Sequence, residues 1–242
     1  MEILHHILST INHDAPVDDI LRGIHWTAVV SRYCGLSSTM LRDCADNHED
    51  TEPLLFAGKT AAQLAQLSLS ADVGKSSLGL AAINSLISID PERCTEVNAA
   101  LIVMEKGRGK NVSIIGHFPF VDELKGAAKN LWVIEKWQRE GDYPEEDALQ
   151  YLPQSDVIAI SSTTLINHTL EGLLLLCPKS SFVMLLGPTT PMTEVLFEHG
   201  IDIISGSLVA DQQLALTCIK QGANFRQLKR SGAIRLLTIE KN

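Results

Sequence analysis

The residues whose types suit chemistry sit in short polar loops, each directly behind a run of apolar residues. The first loop is Gly116-His117-Phe118-Pro119. Its glycine permits a tight turn, Pro119 suits the first turn of a following helix, and His117 is a candidate ligand contact or metal ligand. The N-terminus of that helix would aim free N–H groups and a partial positive charge at an anion. Glu135 follows nineteen positions after Gly116, near the spacing at which a carboxylate meets a nucleotide ribose. The run Ser161-Ser162-Thr163-Thr164-Leu165-Ile166-Asn167 holds more hydroxyl and amide groups than one helix cap needs. Thr163, Thr164 and Asn167 are therefore candidate partners for a polar ligand. Gly187-Pro188-Thr189-Thr190-Pro191 is a stiff loop in which either threonine would cap a helix starting at Pro191, an arrangement suited to carboxylate or phosphate. Gly206, after a fifth apolar run, and Asp211, on the next helix, complete the set.

The elements behind these loops follow from patterning. Apolar runs at 112–115, 131–134, 157–160, 182–186 and 201–204, with a sixth at 234–239, are continuous rather than alternating. Continuous runs separated by helical or irregular segments predict strands covered on both faces, the βαβ signature of a mostly parallel, Rossmann-like sheet. Ligands of such sheets bind outside the strand carboxyl ends, which is where the polar loops fall.

Residues 1–105 have a different texture. The spacing predicts a helix over 1–21 carrying Ile3, Leu4, Ile7, Leu8 and Ile11 on one face, with Pro16 ending it or opening another element. Residues 23–31 read as a strand and 32–39 as its hairpin partner; 60–69 and 76–89 read as helices. This is a small α+β domain. Trp26 and Thr27 on its strand are candidate ligand contacts, and Asn84, a polar amide in an apolar helix, calls for a hydrogen bond. The polar, glycine-containing stretch 104–111 sets the boundary between domains 1–105 and 106–242, with Lys106, Arg108 and Lys110 read as a solvated linker.

Composition narrows the function classes. A formal charge of −9 argues against nucleic acid, and no apolar stretch approaches a membrane span. The residues before position 15 lack the apolar core of a signal peptide, so the reading is a soluble, cytoplasmic protein. Cys34, Cys44, Cys94, Cys177 and Cys218 form no CxxC pair, and the eight histidines, His48 among them, show no metal-binding spacing on a helix. Gly74-Lys75-Ser76-Ser77 lacks the first P-loop glycine and a preceding strand. A GxGxxG fingerprint and a GxSxG elbow are both missing.

Taken together, the segments 23–29, 78–86, 115–121, 162–170, 186–191 and 206–211 resemble the heavy-metal-chelation domain family, whose function is unknown. The resemblance covers nearly the whole chain. It implies an enolase-N-terminal-like domain followed by a Rossmann-like domain, with a ligand site in a cleft between the two. The expected function is to bind or process a small anionic metabolite, such as a metal chelate or a chelator precursor. The alternative is an enzyme using a nucleotide-type cofactor, NAD or S-adenosylmethionine, with Glu135 on the ribose. The implied partner is a small molecule, with a metal ion or a nucleotide-type ligand as cofactor and a homo-oligomer as one assembly open to the chain. A dedicated transition-metal site needs clustered thiolates or imidazoles, and only His117 and Glu135 fall near the predicted rim.

Overall fold

The computed structural model describes residues 1–40, 56 and 58–241; Cys44 and His48 lie outside the described residues. The chain packs into two compact units, Met1–Ile89 with Ser207–Arg235, and Asp90–Gly206 with Leu236–Asn242.

The first unit opens with helix α1, Glu2–Ser9, which buries Ile3, Leu4 and Ile7. It stops far short of residue 21, because the chain leaves the helix at Thr10 and forms strand β1 at Asp19–Arg22. Four residues bounded by Asp and Arg are too short and polar to announce a strand by alternation. Strands β2 (Trp26–Val30) and β3 (Cys34–Ser38) are the expected antiparallel hairpin, and β1 pairs with the other side of β2. Helix α2 (Ala61–Ala65) is fixed by a capping box between Thr60 and Gln63, and a 3-10 turn follows at Gln66–Leu69. Helix α3 spans Val73–Leu86 and starts earlier than residue 76, since Asp72 accepts the Gly74 and Lys75 N–H groups. The Gly74-Lys75-Ser76-Ser77 stretch is thus the first turn of a capped helix. Small residues on several faces of α3 let it sit buried nearly all round. The Asn84 amide donates to the Leu36 carbonyl at 2.8 Å, tying α3 to β3 within this unit.

In the second unit, helix α4 (Ala99–Gly107) runs through much of the stretch read as a linker. Val103 and Gly107 are buried, and the exposed Lys106 lies 5.2 Å from the centre of the Phe182 ring, so this lysine is a helix residue rather than a tether. There follow β4 (Asn111–Ile115), α5 (Val121–Leu124), β5 (Asn130–Ile134), α6 (Ala148–Tyr151), β6 (Val157–Ser161), α7 (Leu170–Leu176), β7 (Phe182–Leu186), α8 (Val195–Glu198) and β8 (Ile203–Val209). Helices α9 (Gln212–Lys220) and α10 (Phe225–Arg230), which belong to the first unit, and strand β9 (Ile234–Glu240) close the chain. The six apolar runs all became strands of one sheet, in the order β5-β4-β6-β7-β8-β9. Every pairing from β5 to β8 is parallel. The mixed α/β class is as expected, a mostly parallel six-stranded sheet alongside a small antiparallel one. One face of the large sheet packs Val112, Ile114, Val133, Val157, Ala159 and Met184 against Val103 and Leu124. Ile158 and Ile160, pointing the other way, are equally buried, so the sheet is covered on both sides. Among the described residues, no helix is long and apolar enough to cross a membrane.

Burial pushes the Cys34 and Cys177 thiols up to about 12. At pH 8 the thiolate fraction of such a group is small, and its greater intrinsic nucleophilicity recovers only part of the loss. Both should react with a disulfide reagent on the order of a hundredfold more slowly than a free cysteine. Mass-spectrometric mapping of labelled peptides before and after denaturation tests this; rapid native labelling of either position would refute it.

Candidate functional site

The strand order puts the topological switch at β4. The chain steps from β4 to β5 on one side, then crosses to β6 on the other. The carboxyl ends of β4 and β6 therefore flank the crevice where ligands of open parallel sheets bind. Gly116 and Ser161 occupy those ends. Gly116 has φ +98°, and a Cβ there would lie 3.0 Å from Cβ of Ser161, so the two strand exits touch through bare backbone on one side.

The loop after Gly116 differs from expectation. Pro119 is exposed and does not open a helix; α5 begins at Val121 and has four residues, with Phe120 as its N-cap and no side-chain cap bond. So short a helix has little macrodipole, and anion binding at its N-terminus loses its physical basis. Phe118 is half-buried and stacks on Phe120 at 5.3 Å, which anchors the loop to the core. His117 stands between Gly116 and this aromatic pair.

Its partner is Asp142, which sequence reasoning missed. After β5 the chain turns back and lays Tyr143 beside the strand end: Tyr143 N–H donates to Val133 O at 2.7 Å, and Glu135 N–H donates to Tyr143 O at 2.9 Å. Asp142 is thereby brought to β4, where its Oδ2 lies 3.3 Å from His117 Nδ1 and also accepts the Arg139 N–H at 3.0 Å. The Asp142 side chain is 4 % exposed and that of His117 21 %. An ionised carboxylate only accepts, so in the neutral imidazole that pairs with it Nδ1 is the donor and the Nε2 lone pair is left for another partner. Nε2 makes no hydrogen bond within the chain among the described residues. Nearby Asp122 is held below the usual carboxylate range, first by its hydrogen bond from Lys125, with smaller contributions from Lys125, His117 and Arg139 charges. The only sequence signal for Asp142 is the turn glycine before it, Gly141 at φ +89°, and such turns usually face solvent.

Glu135 ends β5 beside the exit of β4, because Ile115 pairs with Ile134. Its Oε1 accepts the Lys136 and Trp137 N–H groups, so one carboxylate oxygen shapes its own turn. After β6, Ser161 caps a 3-10 turn at Ser162–Leu165 and its Oγ lies 2.8 Å from Thr163 Oγ1, placing two hydroxyls at the rim. Thr164 is buried and its hydroxyl donates to Ser161 O. Asn167 is half-buried; its Oδ1 accepts from the Thr169 backbone and hydroxyl. His168 sits in a turn with φ +61°.

The Gly187 loop also departs from expectation. Thr190 donates to Gly187 O at 2.8 Å, Thr189 and Thr190 are buried, and α8 starts at Val195 rather than Pro191. Neither threonine caps that helix; the Thr193 hydroxyl accepts from Val195 N–H. Gly187, at φ +131°, lets Ser162 Oγ approach where a Cβ would stand, and Pro188 carries the turn. Gly206 lies within β8 rather than after it, against Met192 and Thr190 O.

The remaining candidates belong to the first unit. Trp26 is buried there, its indole N–H donates to Ala223 O at 2.9 Å, and its ring lies 6.4 Å from Phe225. Thr27 is buried with its hydroxyl 2.9 Å from that of Thr39. Asp211 is the exposed N-cap of α9, accepting from Leu214 N–H.

A tightly held transition metal needs three or four protein ligands. Among the described residues no three of His, Cys, Asp or Glu could together hold a metal ion, and Cys34, Cys177 and Cys218 are separate free thiols. This donor set does not fit a resident metal caged by the protein.

The chain is similar in sequence and fold to known proteins. An uncharacterized protein of Methanocaldococcus jannaschii is 28 % identical over 213 residues, covering 85 % of this chain and 81 % of that protein. A crystal structure of a protein of unknown function from the DUF364 family, from Desulfitobacterium hafniense, aligns with a TM-score of 0.82 at 26 % identity over 99 % of this chain and 98 % of that one. A second DUF364-family structure, from Pyrococcus horikoshii, gives 0.82 at 21 % identity over 99 % and 100 %, a likeness of fold. Residues 5–87 match the DUF4213 family model and residues 98–238 the DUF364 model, both described as "Putative heavy-metal chelation". With more than half its length inside the second of these models, the chain belongs to the DUF364 family.

Proposed function

We propose that the protein binds or processes a small anionic metabolite, a metal chelate or a chelator precursor, at the carboxyl ends of β4 and β6. The observation that carries this reading is His117 held by the buried Asp142 beside the Gly116–Ser161 contact. A strained glycine, a carboxylate-fixed imidazole and the paired hydroxyls of Ser161 and Thr163 lie at the strand ends that flank a switch point, the usual address of a ligand in such sheets. The family description supports a metal-related ligand.

A second reading has one observation in its favour. Glu135 lies level with Gly116 across the β4–β5 pair, where a ribose-binding carboxylate would stand. The short α5 and the missing glycine fingerprint speak against it. Thermal melting separates the two with a panel of bare divalent metals, aminocarboxylate chelates, metal-free amino-acid-derived and pterin-like chelators, NAD and S-adenosylmethionine. A ligand at a hundred times its Kd stabilises by about 2.7 kcal/mol, a shift of several degrees for a chain of this size. Stabilisation by chelates or chelators is expected. Stabilisation by a nucleotide alone, lost in Glu135→Ala, would favour the second reading, and no response to any member would remove the first.

A further inference from the structure

We infer that the ligand of this site is a divalent metal that arrives already complexed, with His117 Nε2 filling one open coordination position and Asp142 as the residue that positions the ring. The inference rests on the reading of the site given above and follows from a mismatch. The described residues lack the three donors that would hold a bare ion, yet His117 has the arrangement of a metal-binding imidazole. Ligating histidines almost always donate their other ring N–H to a carboxylate or carbonyl, which fixes the tautomer and the ring plane. Asp142 does this here, and it is itself fixed: its Oδ2 takes the Arg139 N–H, its own N–H donates to Arg139 O at 3.0 Å, and Tyr143 next to it is bonded to β5. A rigid carboxylate, 4 % exposed and serving one imidazole, is more than a loop histidine needs.

One imidazole suits one vacancy. A chelator that occupies most positions of the metal leaves a bound water that Nε2 displaces: the nitrogen lone pair forms the new bond, the water departs, and no electron or proton changes hands. The hydroxyls of Ser161 and Thr163 are then hydrogen-bond partners for the carboxylates of the chelator. Specificity arises because neither component alone satisfies the site. Among the described residues free metal finds one ligand at this site, and free chelator supplies no metal for Nε2.

The probe is copper(II) nitrilotriacetate, which leaves a water-occupied position, measured by calorimetry and by electron paramagnetic resonance. The wild type is expected to bind the complex more tightly than either the bare ion or nitrilotriacetate, with one additional nitrogen in the copper hyperfine pattern. His117→Ala and the shape-retaining His117→Gln should both lose that nitrogen and at least ten-fold in affinity. Asp142→Ala should bind about ten-fold more weakly, the usual consequence of removing the group that orients a ligating histidine. Its imidazole ¹⁵N shifts should also show both tautomers, a change that general loosening of the loop would not produce. The double variant His5→Ala, His6→Ala should behave as wild type. Tighter binding of the bare ion through several protein nitrogens, an unchanged copper spectrum, or full affinity in His117→Ala would each overturn the inference. The broader metabolite reading is tested separately, and falls if no chelate or chelator of the melting panel stabilises the protein.

Discussion

Replacing Gly35 by alanine is expected to lower the melting temperature by about 10 °C. Gly35 lies in β3, and a Cβ built there would stand 2.1 Å from Ala81 O and 2.2 Å from Ser85 N, both backbone atoms of α3. Backbone cannot rotate away as a side chain can, so the helix must withdraw by more than an ångström. That withdrawal strains bonds that tie the hairpin to the helix, among them Tyr33 N–H to Ser85 O at 3.0 Å and the Asn84 amide to Leu36 O at 2.8 Å. Overpacking a dense interior costs about 1–3 kcal/mol, and a clash between two backbones belongs at or above the upper end. Against a total stability of about 5–15 kcal/mol, this removes a large share. Thermal and urea unfolding measure it. Gly172→Ala is the control, since a Cβ there meets nothing within 4 Å and its helix should gain about 0.5–1 kcal/mol. Equal melting temperatures for Gly35→Ala and wild type would show that α3 and β3 are not held at this distance.

At the candidate site, Gly116→Ala is expected to abolish most of the ligand response while leaving the protein folded. Two costs combine. The φ of +98° is strained for any residue with a Cβ, by about 1–3 kcal/mol, and the added methyl would press on Cβ of Ser161 at 3.0 Å. Relief requires the 116–118 loop or the Ser161 turn to shift by a few tenths of an ångström, and His117 moves with the loop. Copper(II) nitrilotriacetate should then bind about ten-fold more weakly, because coordination tolerates little displacement of the ring. Gly109 supplies the matching control, having φ +70° with open space around its Cβ position. Gly109→Ala should lose comparable stability and keep full affinity. Matching affinities in the two variants would show that the contact with Ser161 has no part in binding.

Six strands of the large sheet were readable from the pattern of apolar runs, most of them to within a residue or two. An apolar run of four or five residues bounded by polar loops has few other solutions in a covered sheet. The 112–115 and 157–160 runs became β4 and β6 for that reason, and Gly116 and Ser161 followed at their ends. The helices between them were harder to read. Loops carrying Pro119 and Pro191 look like helix starts, yet α5 and α8 begin at Val121 and Val195 and last four residues each. Their bounds depend on how much chain is needed to return to the next strand, which no local preference records. Hydroxyls at 164 and 190 likewise resembled ligand partners, although tight turns claim them for Ser161 O and Gly187 O.

Local periodicity and turn chemistry suffice for the α/β class, for the strands of the large sheet and for the polar loops behind them, while the short, polar β1 escapes them. Which distant residues meet is settled by tertiary structure. His117 finds Asp142, 25 positions away, because β5 pairs beside β4 and the following loop folds back along that edge. Trp26 finds the Ala223 carbonyl 197 positions away, because a segment from late in the chain packs with the first unit. Strand order and loop return bring these partners together, and burial then decides their chemistry. An aspartate beside a turn glycine looks solvated in a sequence, and becomes an imidazole's fixed acceptor only once β5 and its returning loop have closed over it.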